Sequence, residues 1–288
     1  MNPLLDLSDI NRLTSYEFES VCRGFSSFAR LEGRTGLTRV LTKYKIFVDI
    51  NDISLVPHLV MDGFWETPVT QCLARLVRPG DTCIDVGAHL GYFSVLMSAL
   101  AGGSGKTLAI EPNPRIASLL KRTSEINHPG FRVWEGALSN LSGRTEIHIP
   151  RLHTGDSSLL VRKEAGEEGF IREEVAVDTL DRLLPAFGLG QVDVMKIDAE
   201  GAEPLIFKGM PETLSANPDL KIVMEFSPGL YHDAREFSRI LSERFDAYTI
   251  ESGFRFVPFH ITEFLESNEA GTHTDLLLLA KGAQMPDD

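Results

Sequence analysis

The chain has 288 residues, 43% of them apolar, enough for one large domain with an extension and a real core. Its formal net charge of -13 and pI near 5.1 oppose capture of a phosphate backbone or an anionic membrane, so nucleic acid is not an expected partner. Cys22, Cys72 and Cys83 are too widely spaced for a disulfide framework or zinc knuckle, and no apolar run reaches the roughly 20 residues of a transmembrane segment. A cytoplasmic setting is expected.

Residues 1–70 have weak periodicity, with a helix near "SYEFESVCRGFSSFARLEG" and strand pieces at "TRVLT" and "KIFVDI". They read as an N-terminal cap on a domain spanning 71–288. Apolar Phe18, Phe25 and Phe28 would either pack on the core or form a homodimer contact. From position 82 short apolar runs alternate with helical segments: "TCIDV", "TLAIE", "FRVWEGAL", "VDVMKID", "KIVMEF", "AYTIE" and "DLLLLAK". That rhythm predicts an α/β fold with a mostly parallel, doubly wound sheet of seven strands and helices on both faces. "GYFSVLMSALAG" reads as a helix closed by Gly102 and Gly103, "PRIASLLKRTSEIN" as one opened by Pro114, and "EPLIFKGMPETL" as one or two short helices. Residues 141–184 break the rhythm and read as a β insertion with a loop at its tip.

At residues 83–94, "CIDVGAHLGYFS", a buried strand ends in Asp85, turns through Gly87 and Gly91, and restarts as a helix. Glycines there permit a sharp turn and a close backbone approach to a ligand. A dinucleotide-binding loop would carry glycine at position 89, which is His89, so the turn suits a zwitterionic cofactor better than a diphosphate. The next strand ends in Glu111, 26 residues after Asp85, where a carboxylate can accept both hydroxyls of a ribose. Taken singly, Asp85 serves equally well as a helix cap. Jointly, Asp85, Gly87, Glu111 and the Ala137, Leu138, Ser139 corner mark one crevice in the order that S-adenosylmethionine requires. Ala88, His89, Tyr92 and Asn113 fall in the same turns and complete the expected cofactor set.

These segments, together with "DGFWE" (62–66), "AIEPNP", "GALSN", "DSSLL", "VAVDTLDRLL" and above all "VMKIDAEGAEPLIFKGM" (194–210), resemble the FkbM-type branch of the class I S-adenosylmethionine-dependent methyltransferases. The resemblance covers about residues 38–282. It implies a Rossmann-like sheet with the last strand antiparallel, and methyl transfer to a hydroxyl of a sugar, glycan or polyketide-like natural product. It places Glu66 among the cofactor residues and Trp65 against cofactor or acceptor.

Methyl transfer to an alcohol needs an aligned acceptor and a group to take its proton. Asp198, at the end of the fourth strand, is the first choice for both acceptor and cofactor contacts; Glu225, at the neighbouring strand end, and His153, in the insertion, are further catalytic candidates. Asp156, Ser157, Ser158, Glu200 and His232 are expected to contact the acceptor. Asp198, Glu200 and Glu225 offer oxygen ligands of the kind magnesium accepts, but a metal is not favoured. Acceptor specificity is expected from residues 1–70 and 150–175. A nicotinamide dehydrogenase shares the sheet but lacks support in the glycine pattern. A cofactor-binding scaffold or interaction protein without catalysis is the alternative, since function resides in the site and not in the fold.

Overall fold

The computed structural model describes residues 5–150, 158, 170–253, 255–266 and 272–285. His153, Asp156 and Ser157 lie outside the described residues.

The N-terminal part contains helix α1 (Ser15–Phe25) and a three-stranded antiparallel sheet, β1 (Phe28–Arg30), β2 (Thr35–Val40) and β3 (Tyr44–Asp49). Thr14 and Glu17 close a reciprocal capping box on α1. Helices α2 (Val56–Met61) and α3 (Thr67–Leu76) follow, the latter running across position 70. Phe18 is fully buried against Phe64, whereas Phe28 stays 43% exposed. The outer edge of β3 is held by side chains at the end of a later helix, α5 (Pro114–Ile126), whose C-cap is Asn127. Lys45 N–H donates to Asn127 Oδ1 (3.0 Å), Phe47 N–H donates to Thr123 Oγ1 (3.1 Å), and Asn127 Nδ2 donates back to the Lys45 carbonyl (2.7 Å).

Eight described strands make the central sheet. In chain order they are β4 (Thr82–Val86), β5 (Lys106–Glu111), β6 (Arg132–Glu135), β10 (Val194–Ile197), β11 (Lys221–Phe226), β12 (Phe245–Glu251), β13 (Arg255–Pro258) and β14 (Thr274–Ala280), with a smaller sheet of β7 (Ala137–Leu138), β8 (Gly143–Pro150) and β9 (Phe170–Asp178) between β6 and β10. The spatial order is β13-β12-β14-β11-β10-β4-β5-β6, with β14 antiparallel to both neighbours. All seven strands read from the sequence are present: β4 and β11 with the expected bounds, β5 and β12 longer, β6 and β10 shorter, and β14 shifted by one residue. The eighth, β13, is a hairpin partner of β12, and its "RFVP" is too short to stand out as an apolar run.

The expected strand "FRVWEGAL" divides at Gly136. A Cβ there would meet the Trp134 ring at 2.7 Å and the Ala176 carbonyl at 2.9 Å, so only glycine lets the chain leave the large sheet for the small one. The remaining helices are α4 (Tyr92–Ala101), α5 (Pro114–Ile126), α6 (Leu180–Ala186), α7 (Glu203–Lys208), α8 (Pro211–Ala216), α9 (Ala234–Arg244) and α10 (Ile261–Glu266). Because side chains alternate along a strand, each sheet face has its own apolar cluster. Val194, Val223 and Leu277 pack with α3, α4 and the N-terminal elements; Met195, Ile222 and Leu278 pack with α6, α7 and α9. Each fully buried aliphatic side chain contributes about 1.5–3 kcal/mol of transfer free energy, which ties the N-terminal elements to the sheet.

Candidate active site

At the carboxyl ends of β4, β5, β10 and β11 lies a cavity of about 320 Å³. Ligands of open α/β sheets bind at that end of the strands. Val86, Gly87, Ala88 and His89 form its floor; Glu111, Pro112, Ala137 and Leu138 form one side; Asp198, Ala199, Glu200 and Glu225 form the other. Ser54, Leu55, Trp65 and Glu66 close it from the N-terminal part, with Tyr92 and Phe93 behind. Five non-glycine residues among those described have positive φ, and three of them, Glu66 (38°), His89 (47°) and Glu200 (52°), line this cavity. Such strain persists where the surroundings fix it, and it clusters at functional sites.

The glycine turn is shaped differently from the sequence reading. Gly87 has φ 74°, and a Cβ on it would stand 1.7 Å from the Asp198 carbonyl oxygen. One close backbone approach that this glycine permits is to the Asp198 carbonyl at the end of β10, while Gly87 also lines the cavity. Gly91, at φ 91°, faces Leu120 on α5. Tyr92 is buried, with its hydroxyl 3.1 Å from Thr70 Oγ1. His89 takes the slot that is glycine in dinucleotide loops, and its Nε2 lies 3.8 Å from Asp52 Oδ2 in the loop that carries Ser54 and Leu55.

Glu111 is held by amides at both oxygens. His89 N–H donates to Oε2 (2.9 Å) and Asn113 N–H to Oε1 (2.8 Å). Burial nevertheless dominates and pushes its carboxyl up to about 7, against the lowering by those amides. Each oxygen keeps lone-pair capacity for a further donor such as a hydroxyl.

The other end is governed by strand register. Lys196 is the partner of Asp85 across β10 and β4, and the alternation of side chains puts Lys196, Asp198 and Asp85 on one face. Lys196 Nζ donates to Asp198 Oδ2 (2.9 Å) and lies 4.8 Å from the Phe93 ring centre. Burial opposes the lysine's charge, but Asp198, Asp85 and Glu66 outweigh it and hold Lys196 well above its ordinary value. Burial likewise works to raise Asp198, and Lys196 overcomes it, leaving that carboxyl below its usual range. Glu66 is half-buried on the cavity wall and is pushed up to about 8, by burial first and by Asp275, Asp198 and Glu225 in addition. Asp85 is fully buried and raised by burial; Ser94 Oγ donates to its Oδ2, and its Oδ1 has no hydrogen-bond partner.

Three carboxylates crowd the turn from Asp198 to Glu203, and two of them are relieved in different ways. Asp198 has Lys196. Glu203 is a clamp inside the turn, accepting from the amides of Ala199 (2.7 Å) and Gly201 (3.0 Å). Ser158 Oγ donates to the Glu200 carbonyl (2.8 Å), and Ser158 bridges His148 of β8, so the insertion reaches the cavity rim.

Most of the expected set is brought together here: Trp65, Glu66, Gly87, Ala88, His89, Tyr92, Glu111, Ala137, Leu138, Asp198, Glu200 and Glu225 all line the cavity. Asp85 lies behind the wall. Asn113 caps α5, its Oδ1 accepting from the amides of Arg115 and Ile116. Ser139 turns away, with its N–H on the Asp178 carbonyl. His232 is in a separate groove with Lys208 and Glu236, because the turn at Pro228–Leu230 carries the chain over to α9. Lys196, Ser54 and Leu55 are additions. Lys196 carries a signal in its position, a base two residues before Asp198 and so on the same strand face, whereas Ser54 and Leu55 carry no signal of their own.

The chemistry of this donor set fits S-adenosylmethionine. Carboxyl groups outnumber the single lysine around the cavity, which suits a ligand with a sulfonium and an ammonium and disfavours a diphosphate. Glu111 supplies hydroxyl acceptors at the opposite end. Among curated relatives, methyltransferase sdnD of Sordaria araneosa is 29% identical over 157 residues, covering 45% of this chain and 60% of that protein. A protein-L-isoaspartate O-methyltransferase of Methanocella arvoryzae is 27% identical over 85 residues, covering 24% and 44%. The chain thus matches only about half the length of these relatives. A solved precorrin-6y C5,15-methyltransferase from Geobacter metallireducens, 14% identical over 74% of this chain and 86% of its own, superposes with a TM-score of 0.41, too remote to bear on function. The profile of the Methyltransferase FkbM domain matches residues 85–256, more than half of the chain. The protein therefore belongs to the FkbM methyltransferase family.

Proposed function

We propose that the enzyme methylates a hydroxyl group of a sugar, glycan or polyketide-like natural product in the cytoplasm. The observation that carries this reading is the carboxylate pair Asp198 and Glu225 on the cavity wall, at adjacent strand ends, with Trp65 and Glu66 opposite. When bound, S-adenosylmethionine supplies an electrophilic methyl group on a sulfonium. Glu111 holds hydroxyls at the far end, and the carboxylates around Lys196 balance the ligand's positive charge. Asp198 and Glu225 orient the acceptor hydroxyl and the pair supplies the group that receives its proton, while the Trp65 ring offers a flat apolar surface to the acceptor. The net charge of -13 argues against nucleic acid as acceptor. No group of three His, Cys, Asp or Glu among the described residues could hold a metal ion, and the reading uses none.

Calorimetric titration tests the cofactor half of the reading. S-adenosylmethionine should bind the native chain and lose about 10–100-fold in affinity for folded Glu111→Ala, as expected for a charge-assisted hydrogen bond. A panel of sugar and polyketide alcohols tests the other half. Turnover on that panel should fall about 10²–10⁴-fold in Glu225→Gln with cofactor binding retained. Binding without turnover on any alcohol would favour the non-catalytic scaffold.

A further inference from the structure

Asp198 and Glu225 are not equivalent: Lys196 claims the first, and a third carboxyl group stands directly beside the second. Ile197 of β10 pairs with Met224 of β11, so the next residues on each strand, Asp198 and Glu225, stand side by side. On the other side of β11, Glu225 is the direct partner of Asp275 on antiparallel β14. Three acids on three adjacent strands therefore share one sheet face at the cavity end. Asp198 is claimed by Lys196 at 2.9 Å, whereas Glu225 accepts a hydrogen bond from the Ser227 hydroxyl at 2.5 Å.

We propose that Glu225 takes the proton of the acceptor hydroxyl, and that Asp275, its direct cross-strand partner, is the positioning residue that prepares it to do so. This rests on the methyl-transfer reading above. In the step, the C–S bond breaks with its electron pair going to sulfur, the O–CH₃ bond forms, and the O–H proton passes to a Glu225 carboxylate oxygen. The positive charge lost at sulfur is matched by the proton gained at Glu225. Asp198 is a poor acceptor for that proton because the ammonium of Lys196 already satisfies it.

The groups that face Glu225 are Asp198 from β10, Asp275 and His273 from β14 and its approach, Glu66 ahead of α3, Glu203 of α7, and Tyr231 after β11. Burial comes first in raising Glu225, Asp198 second, and Asp275 adds to them; Ser227 and His273 act the other way. Adjacent carboxyl groups in such a setting cannot all ionise together, so removal of one lowers the proton affinity of the next.

The test is ¹³C NMR titration of carboxyl-labelled glutamate in the full chain, with the Glu225 signal assigned by its loss in Glu225→Gln. The native midpoint should lie above the ordinary glutamate value of about 4.3. It should fall measurably in Asp275→Asn and return close to native in Asp275→Glu, which restores the charge. A midpoint unmoved by Asp275→Asn would overturn the role of Asp275. A native midpoint at the ordinary value would overturn the proposal without any variant, should Asp275→Asn fail to fold. Calorimetry with S-adenosylmethionine on the same samples separates the two readings: absence of binding removes the methyltransferase assignment itself, while binding with an unmoved midpoint removes only this proposal.

Discussion

The two ends of the cavity hold buried acid by opposite means. At Glu111, both carboxylate oxygens are pinned by backbone amides whose positions are set by the glycine turn and the start of α5. Around Lys196, the acids come from separate strands and from the N-terminal part, and they share one ammonium and whatever protons they retain. The first end is geometrically fixed and suits recognition of hydroxyls that do not react. The second is balanced mainly by charge, with hydroxyls of Ser94 and Ser227 assisting, and its balance shifts when a cation arrives or a proton is transferred.

The largest way to break this contrast is Lys196→Met. It leaves Asp198 and Asp85 without their cation, and loss of one partner of a buried pair costs about 3–5 kcal/mol. Denaturant unfolding of the variant should show that loss at neutral pH. Gly87→Ala attacks the fixed end: a Cβ placed 1.7 Å from the Asp198 carbonyl, on a residue with φ 74°, should cost about 2–4 kcal/mol and weaken cofactor binding. Thermal unfolding and calorimetry on one preparation would check both parts.

A pH series sharpens the comparison further. Burial raises Glu66 to about 8 and Glu111 and Glu203 each to about 7, so the folded chain binds more protons at these groups than the unfolded chain. Their contribution to stability is then full below the ordinary glutamate value of about 4.3 and is lost as pH rises through these folded values. The melting temperature of the free protein should decline between about pH 5 and 8. Saturation with S-adenosylmethionine should reduce the decline, because its positive charge favours the ionised acids. Glu203→Gln, which mimics the protonated form, should flatten part of the slope; an unchanged slope would show that Glu203 does not contribute. The smallest effect is expected for Asn113→Ala, about 1 kcal/mol from the lost helix cap with cofactor affinity unchanged. A large fall in affinity would return Asn113 to the cofactor site.

What the sequence revealed follows from how local each signal is. The buried strands, the glycine turn and Glu111 were legible because strand periodicity and turn chemistry are written within a dozen residues. Asn113 was legible too, but as a different object: asparagine directly before Pro114 is a helix-start signal, and the structure uses it as one. His232 follows the right strand but lies past a turn that redirects the chain. Ser54 and Leu55 reach the cavity only because Asp52 turns the loop after β3 toward His89. The pairing of Glu225 with Asp275 depends on the antiparallel insertion of a strand 50 residues away, for which neither segment alone carries a mark.

The edge of β3 adds a point about inheritance. Exposed strand edges invite other chains to add to them, and here the missing neighbour is replaced by Thr123 and Asn127, side chains of a helix and of its C-cap in the cofactor-binding half. The N-terminal sheet therefore borrows its outer border from the part it covers. A homologue or chimera that exchanged this segment to alter specificity would have to bring its own α5 residues, or it would gain an adhesive rim along with its new acceptor.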